Sequence, residues 1–209
     1  MTRWLTLGGV LFALFVALGI TVAGQPLAVD LAVAAAFQGL WRGTTGQVTT
    51  VVSDAFGIVV PDVFAMALLV ACVWCWHRGL RRELLVLARV LLVVLPCRLI
   101  STAGKELFAR VRPREYAQFS YPSGHVVAAA STGFAAVLLC VWLASRVTRR
   151  VAVVSAIITA MVAVTRLVLG VHWLTDTIGA VLGVLGVGLP VAATVRLLPG
   201  PVPAVTGSA

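Results

Sequence analysis

Apolar residues fill most of the chain in six long stretches, each close to the length that a helix needs to cross a membrane. About 20 residues of helix span the hydrocarbon core of a bilayer, and polar residues interrupt the pattern between the stretches. The pattern predicts an all-α protein built as a bundle of six transmembrane helices. The predicted spans are Trp4–Ala23, Val59–Trp76, Glu83–Ile100, Val126–Ser145, Val151–Thr165 and Trp173–Val195.

The segment between the first two spans has a different pattern. Leu27–Leu40 and Gln47–Phe56 have helical character but are short, and Trp41 between them suits the membrane–water interface. We expect two short interfacial helices here; the alternative is one re-entrant hairpin. The first span is longer than the apolar core of a signal peptide, which is about 7–15 residues, so we expect it to be retained.

Composition supports an integral membrane protein. Hydrophobic residues make up 61% of the 209-residue chain and charged residues 11%, whereas soluble proteins carry about 25% charged residues. The net charge of +9 comes almost wholly from arginine. In a membrane protein this excess indicates positive cytoplasmic loops and an anionic ligand, and we expect no nucleic acid partner.

Arginines are concentrated in two predicted turns, which marks those turns as cytoplasmic. They are Arg78, Arg81, Arg82, Arg146, Arg149 and Arg150. We therefore predict a multi-pass protein of the plasma membrane with both termini in the cytoplasm. No long polar linker divides the chain, so we expect one transmembrane domain over residues 1–198 and a disordered cytoplasmic tail over residues 199–209.

Three polar motifs interrupt the apolar sequence. The first motif is Lys105–Pro113, the second is Pro122–His125 and the third is Arg166–Asp176. The first two lie between spans three and four, and the third lies between spans five and six. Because consecutive spans cross the membrane in alternate directions, both connections lie on the same face. The three motifs can therefore form one site, which the loop charges place on the extracytoplasmic face.

The first motif combines the only lysine of the chain with arginines. Lys105 and Arg112 are seven residues apart, so both can project from one helix face, and Pro113 predicts that the helix ends nearby. An ammonium beside a guanidinium is a good receptor for phosphate oxygens. Taken alone, this motif fits a lipid-headgroup contact equally well. Arg98 lies seven residues before Lys105, either below the site or turned outward.

The second motif opens the fourth span. Ser123 is a favourable N-cap, and Gly124 lets the backbone approach a ligand. The free amides at the start of a helix bind anions. His125 follows in the first turn, where an imidazole can donate a proton to a leaving group. An ordinary helix cap with an interfacial histidine is the alternative for this motif alone.

The third motif contains the candidate nucleophile. His172 and Asp176 are four residues apart, which predicts that they share one helix face. A carboxylate that holds the Nδ1 proton leaves Nε2 free to attack. Arg166 cannot share that face, but a break at Gly170 can fold it back over the site. The alternative is a histidine at a helix start with a stabilising carboxylate.

In this order, Lys-x6-Arg-Pro, Pro-Ser-Gly-His and Arg-x5-His-x3-Asp resemble the type 2 phosphatidic acid phosphatase (PAP2) family. One departure is Thr165, where the family commonly has serine. The resemblance implies that His172 attacks phosphorus and forms a phosphohistidine, and that Asp176 orients it. It also implies that His125 protonates the departing lipid oxygen and then activates water.

The resemblance further implies which residues bind the phosphoryl group. The side chains of Lys105, Arg112 and Arg166 would hold its oxygens, and Ser123 and the Gly124 amide would add hydrogen bonds. We expect no metal and no other cofactor. The three cationic side chains replace a metal ion in binding the phosphoryl oxygens, and no further carboxylate cluster is available to hold magnesium.

We therefore expect a lipid phosphate phosphatase that hydrolyses a phosphomonoester or diphosphate of a membrane lipid. Phosphatidic acid, phosphatidylglycerol phosphate and polyprenyl diphosphate all fit. A lipid-linked phosphotransferase is an alternative, and so is a non-enzymatic transporter or lipid-binding protein, although the last leaves both histidines without a role. The expected partners are the substrate lipid and the bilayer, and the sequence does not predict the oligomeric state.

Overall fold

A computed structural model describes residues 1–115 and 117–200, and within these ranges the regular structure is entirely helical. The helices are α1 (Thr2–Ala23), α2 (Ala28–Ala36), α3 (Gly43–Asp54), α4 (Val60–Arg78), α5 (Arg81–Phe108), α6 (Gly124–Leu143), α7 (Thr148–Val168) and α8 (Leu174–Thr194). Among the described residues, six helical segments are long and apolar enough to cross a membrane. The predicted all-α bundle of six spans is confirmed.

The second span is longer than the sequence pattern predicts. A π-helical segment, Ala55–Val59, joins α3 to α4, so that one helix runs over Gly43–Arg78. The predicted separate helix at Gln47–Phe56 is therefore the N-terminal part of this span, whereas α2 is a separate short helix. Glycine at position 57 weakens the helical pattern in the sequence, yet the helix continues through it, and the absent side chain leaves room for His125 of α6.

Helix α8 packs against α1, α5 and α6. Glycines on α8 allow close approach: Gly186 faces the backbone of Phe12, and Gly179 faces the ring of Tyr121. The Tyr121 hydroxyl donates a 2.6 Å hydrogen bond to the carbonyl of Phe15 on α1. These contacts hold the loop before α6 against α8, and so place the second motif beside the third.

Arg98 lies on the side of the bundle and forms an ion pair with Asp62 of α4, with an N–O distance of 2.6 Å. Both side chains are partly exposed, so Arg98 pairs across two spans outside the site. The predicted disordered tail falls mainly on residues 201–209, which lie outside the described residues.

Candidate active site

The polar motifs meet at one end of the bundle. The C-terminal ends of α5 and α7 and the N-terminal ends of α6 and α8 lie there, as span counting predicts. Electrostatic interactions connect Lys105 with Arg112 and Arg166, and connect these cations with both histidines. The structure therefore brings all the predicted charged and imidazole groups into one cluster.

His172 and Asp176 are paired, but they do not share a helix face. Helix α8 begins only at Leu174, and His172 lies in the preceding turn. The His172 Nδ1 lies 3.3 Å from Asp176 Oδ2, which also accepts a 2.8 Å hydrogen bond from the backbone N–H of Trp173. The prediction of one helix face is wrong because His172 precedes the first residue of α8. The carboxylate of Asp176 reaches back from α8, where it both caps the helix and contacts the imidazole.

The Nε2 atom of His172 faces Arg112, whose Nη1 is 3.2 Å away. A guanidinium has only hydrogen-bond donors, so Nε2 must carry its lone pair while Nδ1 carries the proton. Burial lowers the pKa of His172 to about 3; Asp176 opposes this shift, and Arg112 and Arg166 add to it. The imidazole is therefore neutral at neutral pH, with its free lone pair directed towards a cation.

Arg112 does not share a helix face with Lys105. Helix α5 ends at Phe108, and Ala109 has a left-handed backbone with φ of 45°. Arg112 lies in the extended segment that follows, where it donates to the carbonyls of Gln118, Phe119 and Val171. The helix ends earlier than Pro113 predicts, and the turn at Ala109 brings Arg112 to His172 instead.

Lys105 reaches the second motif as well. Its Nζ lies 3.3 Å from the side-chain oxygen of Gln118, and a methyl group added at Gly124 would lie 3.6 Å from that ammonium. Ser123 is the N-cap residue of α6, yet its side chain makes no capping bond. Within the described residues its buried hydroxyl has no hydrogen-bond partner. The Ser123 hydroxyl and the nearby Lys105 ammonium could both donate hydrogen bonds to an anionic ligand.

His125 contacts an acidic residue that the motifs do not contain. Its Nε2 lies 3.3 Å from Oδ1 of Asp54 on α3, a partly exposed side chain. Gly57 allows this approach, since a Cβ there would lie 2.7 Å from the His125 ring. In the sequence, Asp54 is only a charge near a predicted interfacial helix, because no local spacing connects it to a residue 71 positions away.

Arg166 lies in the last turn of α7 and interacts electrostatically with both histidines. Helix α7 ends at Val168, and Gly170 has a positive φ of 63°, which favours glycine and turns the chain towards α8. Arg166 is buried and donates to the Ser53 hydroxyl at 3.0 Å. The hydroxyl of Thr165 instead donates to the Val162 carbonyl within α7, so it does not face the site.

A buried network behind Asp176 was not predicted. Arg110 bridges Asp176 and Asp30, and Thr175 bonds to both Asp30 and Arg110. The only sequence signal was that Arg110 lies within the first motif and Asp30 interrupts an apolar run. Neither feature shows that the two side chains meet.

A cavity of about 320 Å³ lies beside His172, between α2 and the turn before α8. Its lining is mainly apolar and aromatic and includes Leu31, Phe37, Trp41 and Trp173, together with Arg114. Among the described residues, no group of three or more His, Cys, Asp or Glu side chains could hold a metal ion.

A membrane-spanning helical bundle with a histidine–carboxylate pair facing arginine and lysine side chains has the groups that phosphoryl transfer requires. The PAP2 superfamily model matches residues 85–196, more than half of the chain, and this protein belongs to that superfamily. It is a multi-pass membrane phosphatase of the PAP2 type.

A solved structure supports the assignment. The crystal structure of the first transmembrane PAP2 type phosphatidylglycerolphosphate phosphatase, from Bacillus subtilis, is similar over 90% of this chain and 94% of that chain. The two share 26% sequence identity, with a TM-score of 0.67. No curated protein sequence matches this chain significantly.

Proposed function

We propose that this protein is a metal-independent lipid phosphate phosphatase that acts through a phosphohistidine at His172. The observation that carries the proposal is the orientation of the His172 ring. Asp176 holds Nδ1, and Nε2 faces the Arg112 guanidinium at 3.2 Å. A phosphoryl group that replaces this direct contact would have the nucleophile at its phosphorus and the guanidinium at its oxygens.

In the first step, Nε2 of His172 attacks phosphorus and the bond from phosphorus to the lipid oxygen breaks. His125 gives its proton to the departing oxygen. Lys105, Arg112 and Arg166 stabilise the charge on the phosphoryl oxygens. The developing positive charge on the His172 imidazole is stabilised by the carboxylate of Asp176.

In the second step, His125 accepts a proton from water, and the water oxygen attacks the phosphorus of the phosphohistidine. The phosphorus–nitrogen bond breaks, inorganic phosphate leaves, and His172 recovers its lone pair. Ser123 and the backbone amide of Gly124 donate hydrogen bonds to the phosphoryl group. The buried Ser123 hydroxyl supports this role, because a bound phosphate would supply the partner that it otherwise lacks.

A lipid substrate fits the position of the site. The site lies at the ends of membrane-length helices, so a lipid can keep its chains in the bilayer while its phosphate reaches the cations. The apolar cavity beside His172 can receive the first carbons next to the phosphate. Phosphatidic acid, phosphatidylglycerol phosphate and polyprenyl diphosphate are the candidates, and the similar solved structure favours phosphatidylglycerol phosphate for the first test.

We also propose that the site faces the outside of the plasma membrane and that both termini are cytoplasmic. The arginine-rich turns before α5 and before α7 are at the opposite end of the bundle from the site. Short loops rich in lysine and arginine are retained in the cytoplasm.

The test is phosphate release by the purified protein in detergent with EDTA present, over a panel of the three lipids. We expect release from at least one lipid, with less than about 1% of the rate in His172→Ala, since removing a nucleophile costs several orders of magnitude. Full activity in His172→Ala would overturn the mechanism. Transfer of phosphate to an added alcohol instead of water would identify a phosphotransferase.

A further inference from the structure

We propose that Asp30 is a positioning residue for the nucleophile, acting through Arg110 and Asp176. The inference rests on the proposed function, because it concerns the residue that orients His172. Asp30 comes from the short helix α2, far from the three motifs in the sequence.

The three charged side chains form a continuous chain behind His172. Arg110 Nη1 donates to Asp176 Oδ1 at 2.5 Å, and Nη2 donates to Asp30 Oδ2 at 2.7 Å. The other Asp176 oxygen, Oδ2, faces His172. The exposed fractions are 1% for Asp30, 2% for Arg110 and 0% for Asp176, so water does not screen these contacts.

Asp30 is also fixed at the start of α8. Its Oδ1 accepts a 2.9 Å hydrogen bond from the backbone N–H of Thr175, and the Thr175 hydroxyl lies 2.8 Å from Oδ2. Burial raises the pKa of Asp30, but the bonds from Thr175 and Arg110 outweigh that effect and leave the pKa below its usual value. Asp30 is therefore an anion in the folded protein.

Helix α2 shows that this contact is more than incidental packing. Among its nine described residues, Asp30 alone is buried. A short membrane-surface helix usually buries its apolar side chains, whereas α2 inserts a carboxylate. The cost of burying that charge is offset only if its partners are in place, so the position of α2 depends on Arg110 and Thr175.

The charge balance gives Asp30 a role in the reaction. Arg110 and Asp176 alone would form a neutral pair, and the guanidinium would weaken the attraction between Asp176 and an imidazole that is becoming positive. With Asp30 included, two carboxylates share one guanidinium and the cluster keeps one negative charge. Because the three side chains are buried, this charge is weakly screened and favours the phosphorylated ring.

The geometry points the same way. Asp30 holds Nη2 of Arg110, and Nη1 is directed towards Asp176. Nη1 binds Oδ1, which leaves Oδ2 for His172 and for the backbone of Trp173. Without Asp30, the guanidinium can rotate and compete for Oδ2.

The test compares Asp30→Asn with Asp62→Asn. Both changes remove one carboxylate charge from an ion pair with arginine, but Asp62 pairs with Arg98 outside the site. We measure kcat, KM and the single-turnover rate of protein phosphorylation, on samples whose folded fraction is determined by thermal unfolding. We expect Asp30→Asn to lower kcat and the phosphorylation rate by the same factor of about ten, with KM within about twofold. Asp62→Asn keeps the wild-type values.

A second variant covers the case in which Asp30→Asn does not fold. Thr175→Val keeps the Asp30 charge but removes the hydroxyl that contacts Asp30 and Arg110. We expect kcat to fall about threefold with unchanged KM. An unchanged kcat per folded molecule in either folded variant, or a change in KM alone, overturns the role of Asp30. A wild-type protein that releases no phosphate from any lipid would instead overturn the proposed function.

Discussion

The Nε2 atom of His172 and the Nη1 atom of Arg112 lie 3.2 Å apart, although the residues are 60 positions apart in the chain. The turn at Ala109 and the turn at Gly170 produce this approach. It defines where a phosphoryl group must lie if His172 is to attack it. Arg112 also donates to three backbone carbonyls, so its guanidinium is already held at the site before substrate binds.

Arg112→Lys should lower kcat/KM by about 100-fold, the usual cost of removing one well-placed donor to a developing anion. Lysine keeps the charge but cannot bond to the carbonyls and to the phosphoryl oxygens at once. The measurement is kcat/KM for phosphate release from the preferred lipid. Arg89→Lys, a change of the same kind within α5 far from the site-forming end, is the control. Similar losses of kcat/KM in both variants would contradict a specific role for the Arg112 guanidinium.

Gly57→Ala should lower kcat about tenfold, because the new methyl group would press against the His125 ring and displace it from its working position. The matched control is Gly9→Ala on α1, where an added Cβ meets nothing within 4 Å. Rates are normalised to folded protein. Wild-type kcat in Gly57→Ala would show that the contact between the second span and His125 does not position the acid.

The stability of the protein should fall as the pH is lowered from about 6.5. The pKa of His172 in the folded protein is about 3, whereas an unfolded histidine titrates near 6.5, roughly its value in peptides. Between these values the unfolded chain binds a proton that the folded chain does not, so acid favours unfolding. The slope from this residue is at most about 1.4 kcal/mol per pH unit.

Replacing His172 by asparagine removes that titration, so the melting temperature of His172→Asn should depend less on pH between 7 and 5 than that of the wild type. Thermal unfolding in detergent measures both. The exposed His77→Asn change is the control. Parallel curves for the wild type and His172→Asn would contradict a buried, neutral His172.

The sequence was sufficient for the number of spans and for the three motifs because both are local patterns, although the second span is longer than predicted. Span counting then placed Lys105, His125 and His172 at one end of the bundle without any contact information. The predicted helix faces were wrong where a chain reversal intervenes: α5 ends before Arg112, and α8 begins after His172.

Residues that meet only through tertiary packing were not predictable in this way. Asp30 and Asp54 look like isolated charges between two spans, and their partners lie 80 and 71 residues away. Helix α2 and the extended second span bring these carboxylates to the site. From the sequence alone, Asp30 and Asp54 therefore suggest polar partners but do not show which residues those partners are.

The most direct test of the account is to trap the phosphorylated protein. His125→Ala should still be phosphorylated by ³²P-labelled p-nitrophenyl phosphate, because this leaving group needs no proton, but it should hydrolyse the intermediate slowly because it lacks the base. We predict a labelled protein whose phosphate is stable in alkali and labile in acid and is attached to His172. The double variant that carries both His125→Ala and His172→Ala should remain unlabelled. Label on another residue, or equal labelling with and without His172, would contradict the account.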